Sequence, residues 1–282
     1  MKKLIEKIGI SRFTGIAGLA LLVIVFLISL LFQNRKLEIG PAEIVFAGTV
    51  NDADCCIIFS AGECLVIDAG EEIDGPHIAG ILREHGVETI NCLILSHPDS
   101  DHFGGAPLLS DSFEIETVIM PYYGKYRLNY ANLLKKFTEA GTAQIFPAKE
   151  SGLSVGDLIL TVYPPENSYY DQDNDYSLAV LVRHGNVNMF FPGDAEKVRL
   201  KELASVSLPK IDLLKTPHHG RSSSAASDFI QRIAAPIAIV NASSAEAKIQ
   251  KVLEKTGAEV YYTVGSDHIF KSDGETLTYE GP

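Results

Sequence analysis

From Phe13 to Phe32 the chain runs twenty residues without a charged side chain. At about 1.5 Å of rise per residue, a helix of that length crosses a hydrocarbon core of about 30 Å. A buried core helix rarely lacks a polar face over such a length, and the exit at Ser29 to Lys36 has no small-residue cleavage word of the kind that ends a signal peptide. The pattern predicts an uncleaved single-pass anchor in the lipid bilayer. Lys2, Lys3, Lys7 and Arg12 precede the span and only Arg35 and Lys36 follow closely, a bias that predicts a cytoplasmic N-terminus and a catalytic domain outside the cytoplasm. Residues 1–36 thus read as N-terminus and anchor, and 37–282 as one folded domain.

Beyond a short link at 36–41, apolar runs turn strand-like at Glu43–Gly48, Cys55–Ser60 and Cys64–Asp68, with a turn at Ala61-Gly62-Glu63. Amphipathic stretches then alternate with apolar strands. Helices are predicted at 76–85, 129–140, 195–206, 222–234 and 245–256, several closed by a glycine such as Gly86, Gly141 or Gly257. Two halves, each β-rich first and then alternating with helices, predict an α/β fold with helices covering paired sheets. The polar stretch 164–176 is the one long non-periodic insert and reads as a solvated loop.

Charge narrows the choice of function. The whole chain carries net −12, but its first 36 residues hold six bases and one acid, so residues 37–282 hold 18 bases against 35 acids, net −17. A sequence-tolerant nucleic-acid clamp needs a positive field, so any polyanionic substrate must meet a local positive centre. Cys55, Cys56, Cys64 and Cys92 lie in apolar strand-like runs and read as small buried hydrophobes. A disulfide from Cys55 or Cys56 to Cys64 across the hairpin stays open at this level, and paired C-x-x-C zinc spacing is absent.

Candidate chemistry gathers at strand ends. The strand Asn91–Leu95 runs into Ser96-His97-Pro98-Asp99-Ser100-Asp101-His102-Phe103-Gly104-Gly105. An extended turn lets His97 and Asp99 face one way, and imidazole and carboxylate both hold first-row divalent ions. Two further strands end in Pro192-Gly193-Asp194 and in Thr216-Pro217-His218-His219-Gly220.

In order and spacing, these words together with Leu65-Val66-Ile67-Asp68-Ala69-Gly70 and Asn174-Asp175-Tyr176-Ser177-Leu178 cover about residues 41–282. On them, the sequence resembles the metallo-β-lactamase superfamily, and most closely the hydrolase-like domain of ComEC-type competence DNA-uptake channel proteins. The resemblance implies a four-layer αββα sandwich, here preceded by one N-terminal transmembrane helix, with two divalent metal ions, zinc or manganese, along one edge. It implies one ion held by His97, Asp99 and Asp194 and the other by Asp101, His102, Asp194 and His218. Asp68 and Ser177 would stand behind the ligands, Asp101 would orient the attacking water, His219 would act as a substrate-facing acid or as a structural neighbour, and Arg221 would grip a phosphate or sit exposed.

The sequence also departs from the family pattern. Most members have histidine where this chain has Asp99, and a second expected histidine is replaced by Asn174–Ser177. A carboxylate-rich set is harder and shifts preference from zinc towards manganese or a mixed centre. The glycine-rich early turn is replaced by Asn51-Asp52-Ala53-Asp54, Arg221 stands where serine often follows His-His-Gly, and no Gly-His-Pro word occurs near 241–245. The implied function is a membrane-anchored phosphodiesterase or nuclease-like hydrolase acting on DNA or another phosphodiester, with a membrane channel as partner. An esterase, lactonase or β-lactamase-type hydrolase and a non-catalytic, metal-stabilised binding protein are the rival readings.

Overall fold

Ala61 and Gly62, both with positive φ (50° and 81°), turn the chain tightly between its second and third strands, as a two-residue hairpin demands. The computed structural model describes residues 39–282. The anchor expected at 13–32 lies outside the described residues, and among those described no helix is long and apolar enough to cross a membrane.

Strands β1 (Ala42–Phe46), β2 (Cys56–Ser60) and β3 (Glu63–Ile67) pair antiparallel. Helix α1 (Gly75–Glu84) then leads to β4 (Thr89–Ile94). Short helices α2 (Ser100–Phe103) and α3 (Ala106–Ser112) lead to β5 (Glu114–Ile119), and α4 (Leu128–Ala140) to β6 (Ala143–Ile145). From β3 to β6 the pairing is parallel, because each connection carries helix across the sheet face. The second half repeats this plan. Strands β7 (Ser151–Val155), β8 (Leu158–Tyr163), β9 (Ala179–His184) and β10 (Val187–Phe191) are antiparallel. Helices α5 (Lys197–Ala204), α6 (Ser224–Ile233) and α7 (Ala247–Thr256) then alternate with the parallel strands β11 (Leu213–Lys215), β12 (Ile237–Val240) and β13 (Glu259–Tyr262). Finally β14 (His268–Ser272) returns to pair with β1, and β15 (Leu277–Gly281) pairs with β14 at the sheet edge. The result is an eight-stranded sheet, β15-β14-β1-β2-β3-β4-β5-β6, and a seven-stranded sheet, β13-β12-β11-β10-β9-β8-β7.

Three buried layers of side chains hold this together. Phe46, Ile58, Leu160, Val182 and Phe191 lie between the sheets. Ile57, Val66, Ile78, Leu82 and Phe137 join the first sheet to α1 and α4, and Phe190, Leu214, Phe229, Ile230 and Leu253 join the second sheet to α6 and α7. Neighbours such as Ile57 and Ile58, or Phe190 and Phe191, face opposite layers, so strands covered on both sides read as unbroken apolar runs. The α/β sandwich expected from the sequence is therefore the fold adopted.

Some local expectations change. Gly141 and Gly257 end α4 and α7 in the left-handed conformation as predicted, but α5 starts at Lys197, because Asp194 and Ala195 belong to the turn after β10. The insert 164–176 is not simply a solvated loop, since Tyr170 and Tyr176 are buried in it. Strand β7 escaped prediction because its Ser and Gly content suits a sheet edge rather than a core. Register sets Cys56 opposite Ile67 and Cys64 opposite Phe59, and all four cysteines are free and buried.

Candidate metal centre

The parallel strands β3, β4, β10, β11 and β12 end on one edge of the sandwich, and their C-terminal loops supply Asp68, His97 to His102, Asp194, His219 and Asn241. Three imidazoles there share one arrangement. His102 Nδ1 lies 2.8 Å from Asp68 Oδ2, His97 Nδ1 lies 3.1 Å from Ser96 Oγ, and His219 Nδ1 donates to the Asn241 carbonyl at 3.0 Å. A carbonyl can only accept, so His219 carries its proton on Nδ1. Asp68 imposes the same tautomer on His102. The opposite nitrogen, Nε2, is buried and without a hydrogen bond in all three rings.

Those free Nε2 atoms face carboxylates. His102 Nε2 is 3.3 Å from Asp194 Oδ1 and 3.9 Å from Asp101 Oδ2, and His219 Nε2 is 2.9 Å from Asp194 Oδ2 and 3.2 Å from Asp101 Oδ2. His97 Nε2 is 3.5 Å from Asp99 Oδ2. Among the described residues, Asp54, His102, Asp194 and His219 bring four ligand-type atoms within 4.8 Å of one another. Buried imidazole nitrogens aimed at carboxylates without bonding them are the signature of a cation site. The residues present fit divalent metal ions.

Local backbone geometry decides which histidine enters. His218 and His219 both adopt left-handed conformations, with φ of 47° and 51°. Two such residues in succession reverse the chain, so the simple strand-end alternation is lost. His219 turns inwards. His218, implied as the ligand by resemblance, lies outside the four-residue group, with Nδ1 3.3 Å from Glu196 Oε1 and Nε2 3.3 Å from Asn174 Nδ2. Asp68 is another non-glycine residue held at positive φ, 59°, and such strain gathers where side-chain direction must be set by the surrounding fold.

The supporting residues pack tightly. Asp68 accepts from the Ser96 backbone N–H at 2.7 Å as well as from its hydroxyl. Ser177 Oγ accepts the Asp194 N–H at 3.1 Å. Gly193 passes between them, and a Cβ there would lie 2.9 Å from Ser177 Cβ and 3.0 Å from Ser96 Cβ. Arg127 donates to Asp99 Oδ1 at 2.5 Å and also pairs with Asp173. Arg221 is exposed next to His218 and Gly220.

Two contributors were not foreseen. Asp54, in the loop before β2, is buried and joins the group, while Lys215, the last residue of β11, pairs with Asp54 and reaches Asp194 Oδ1 at 2.9 Å. The available signal was a lysine closing the otherwise apolar run of β11 and an aspartate directly ahead of a buried strand. Burial opposes charge throughout the group, yet the partners win. Asp194 and Asp54 raise His102 and His219 well above the ordinary imidazole range, and both also raise Lys215. Asp194 is held well below the usual carboxylate range by His219, Lys215 and His102. Burial pushes His218 the other way, to a lowered pKa.

Comparison with known proteins agrees with this geometry. The family profile described as Metallo-beta-lactamase superfamily matches residues 48–241. ComE operon protein 3 of Bacillus subtilis (strain 168) is 26% identical over 252 residues, covering 84% of this chain and 32% of the relative. Recombination protein 2 of Haemophilus influenzae is 26% identical over 241 residues, covering 84% of this chain and 28% of the relative. The chain thus spans about a third of the length of these curated relatives. The metallo-beta-lactamase fold protein YhfI from Bacillus subtilis superposes with a TM-score of 0.58 at 12% identity, covering 82% of this chain and all of that one. With its family matched over most of its length and its imidazoles and carboxylates converging at one sandwich edge, this chain belongs to the metallo-beta-lactamase superfamily and is a metal-dependent hydrolase.

Proposed function

We propose that this protein is a membrane-anchored phosphodiesterase of nuclease type, held to the bilayer through residues 13–32 with its hydrolase domain outside the cytoplasm, and acting beside a membrane channel. The observation that carries the catalytic part is the convergence of His97, His102 and His219 Nε2 on the carboxylates of Asp99, Asp101 and Asp194. Two divalent ions, manganese or zinc, would be held by His97, Asp99 and Asp194 and by Asp101, His102, Asp194 and His219, with Asp54 behind them. Bound there, such ions act as Lewis acids on a phosphoryl oxygen and lower the pKa of water.

The chain's own groups do the rest. Asp101 is the more exposed carboxylate of the group, with its side chain 29% accessible against 3% for Asp194. Neighbouring His219 and His102 outweigh its burial and lower its pKa, so it is ionised at neutral pH and can orient an attacking water and accept its proton. Asp68, Ser96 and the Asn241 carbonyl hold the imidazoles in fixed tautomers, so little reorganisation accompanies reaction. The carboxylate-rich donor set favours phosphoryl over β-lactam chemistry. Ions bound there would also supply the positive focus that a polyanion needs inside an acidic body.

The test uses the full-length chain, stripped with chelator and reloaded with manganese or zinc, and offered single-stranded DNA, a small phosphodiester, a lactone and a β-lactam. Metal-dependent cleavage of the two phosphodiesters, lost in Asp101→Asn, is the expected result. Preferential turnover of the lactone or β-lactam would replace this reading with the esterase or lactamase one. Turnover of none, with metal content confirmed, would leave a binding protein.

A further inference from the structure

A polar cleft of about 480 Å³ is lined by residues that include Asp99, Tyr123, Lys125, Tyr126 and Asp173, and Asp99 ties it to the metal centre. Its cations are already engaged. Lys125 Nζ donates to Asp173 Oδ1 at 2.7 Å and to the Asp171 carbonyl at 2.8 Å, while Arg127 is held by Asp99 and Asp173. A phosphate arriving here would meet paired ammonium and guanidinium groups with carboxylates beside them.

What the cleft leaves free is aromatic surface. Tyr126 is 78% exposed, with no hydrogen bond or ring partner among the described residues, and just beyond the lining Tyr169 is 61% exposed with Lys125 Nζ 5.4 Å from its ring centre. Tyr123 is fixed instead, edge-on to Tyr130 and Tyr176 at 5.8 and 4.8 Å. We propose that this cleft is a sequence-tolerant base-stacking subsite that takes an unpaired nucleobase next to the scissile phosphodiester, with Tyr126 as the stacking ring. The proposal rests on the phosphodiesterase reading of the adjoining centre. Every base has a π face, so a free tyrosine ring binds any of them, whereas bases in a duplex are already stacked. Because the local cations are paired and the domain is acidic, affinity comes from stacking rather than from counterion release, and salt weakens it little.

The experiment follows a 5′-fluorescein-labelled oligothymidylate by anisotropy with the chelator-treated full-length chain, so that binding is read without cleavage. Tyr126→Ala and Tyr126→Leu are each expected to weaken binding about tenfold, the order lost when a stacking ring is removed, and Tyr126→Trp to keep or tighten it. With metal restored, KM for the oligonucleotide should rise in Tyr126→Ala at unchanged kcat, while turnover of methyl 4-nitrophenyl phosphate, which has no nucleobase, stays at the unsubstituted level. Equal binding by the Ala and Trp variants, or a duplex bound as tightly as the single strand, overturns the subsite. Absence of turnover on both diesters counts against the phosphodiesterase reading alone, since the anisotropy series still decides whether the cleft stacks bases.

Discussion

Lys215 Nζ lies 2.9 Å from Asp194 Oδ1, with both side chains buried. The same ammonium pairs with Asp54 and donates to the Gly193 carbonyl at 3.1 Å, so three acceptors use its three N–H bonds. Asp194 Oδ1 and Asp54 Oδ2 thereby face both the lysine and His102, while Asp194 Oδ2 and Asp54 Oδ1 face His219. Two buried carboxylates brought this close would repel each other without a cation between them. Lys215 supplies one whether or not metal is bound.

Lys215→Met therefore strips the charge partner from Asp54 and Asp194, and removing one member of a buried ion pair costs about 3–5 kcal/mol. The loss should fall mainly on chelator-treated protein, because a divalent ion can offset the exposed negative charge. Differential scanning calorimetry of the variant is expected to show a wider gap in Tm between metal-loaded and chelated samples than the unsubstituted chain shows. An unchanged gap would mean that Lys215 serves packing alone.

The two adjacent histidines separate cleanly. His219→Ala removes a buried Nε2 from the four-residue group and should leave the purified protein with little bound metal, whereas His218→Ala, whose ring faces Glu196 and Asn174, should retain it. Elemental analysis after gel filtration reads both. Metal lost from the His218 variant and kept by the His219 variant would restore the ligand set that the resemblance implied.

How much of this was legible beforehand depended on whether side-chain direction follows from strand alternation. Apolar runs such as that around Ile57 and Ile58 announced strands buried on both faces, and the glycines after α4 and α7 marked their ends. His97, Asp99 and Asp194 fall close together because they closely follow the ends of β4 and β10, and His102 joins them from the short helix α2 that starts directly after Asp99. His219 could not be told from His218, because consecutive left-handed residues reset the direction locally. Asp54 and Lys215 were hidden for a different reason. Neither belongs to a ligand-like word in its segment, and only the parallel packing of β11 beside β10, with the loop before β2 folded over it, shows that they neutralise each other.

Asp68 touches His102 from behind, at 2.8 Å, and also binds Ser96, which in turn meets His97. Asp68→Asn keeps the size but weakens the hold on the His102 tautomer. Loss of such a supporting carboxylate typically costs 10–100-fold in metal affinity, and a drop of about that size is expected by competitive chelator titration. Affinity within about twofold of the unsubstituted value would show that the strained backbone at Asp68, rather than its charge, orients the ring.

Protons and metal compete for the same nitrogens. His102 and His219 keep Nδ1 bound to Asp68 and to the Asn241 carbonyl, so a second proton on either ring must sit on Nε2, against Asp194. Burial disfavours that charge, but Asp194 and Asp54 outweigh it and raise both pKa values well above the ordinary imidazole value. In chelator-treated protein the resulting stabilisation is fully present below the unfolded pKa of about 6.5 and is lost as pH rises through the raised folded values. Metal binding must expel those protons, so its apparent affinity should climb with pH until the raised folded values are passed and level off beyond them, by up to about two powers of ten per pH unit while both rings are charged. Isothermal titration in two buffers of different ionisation enthalpy counts the protons directly. Affinity that is flat in pH, with no proton released, would mean that both imidazoles are neutral before the cation arrives and that Lys215 alone balances Asp54 and Asp194.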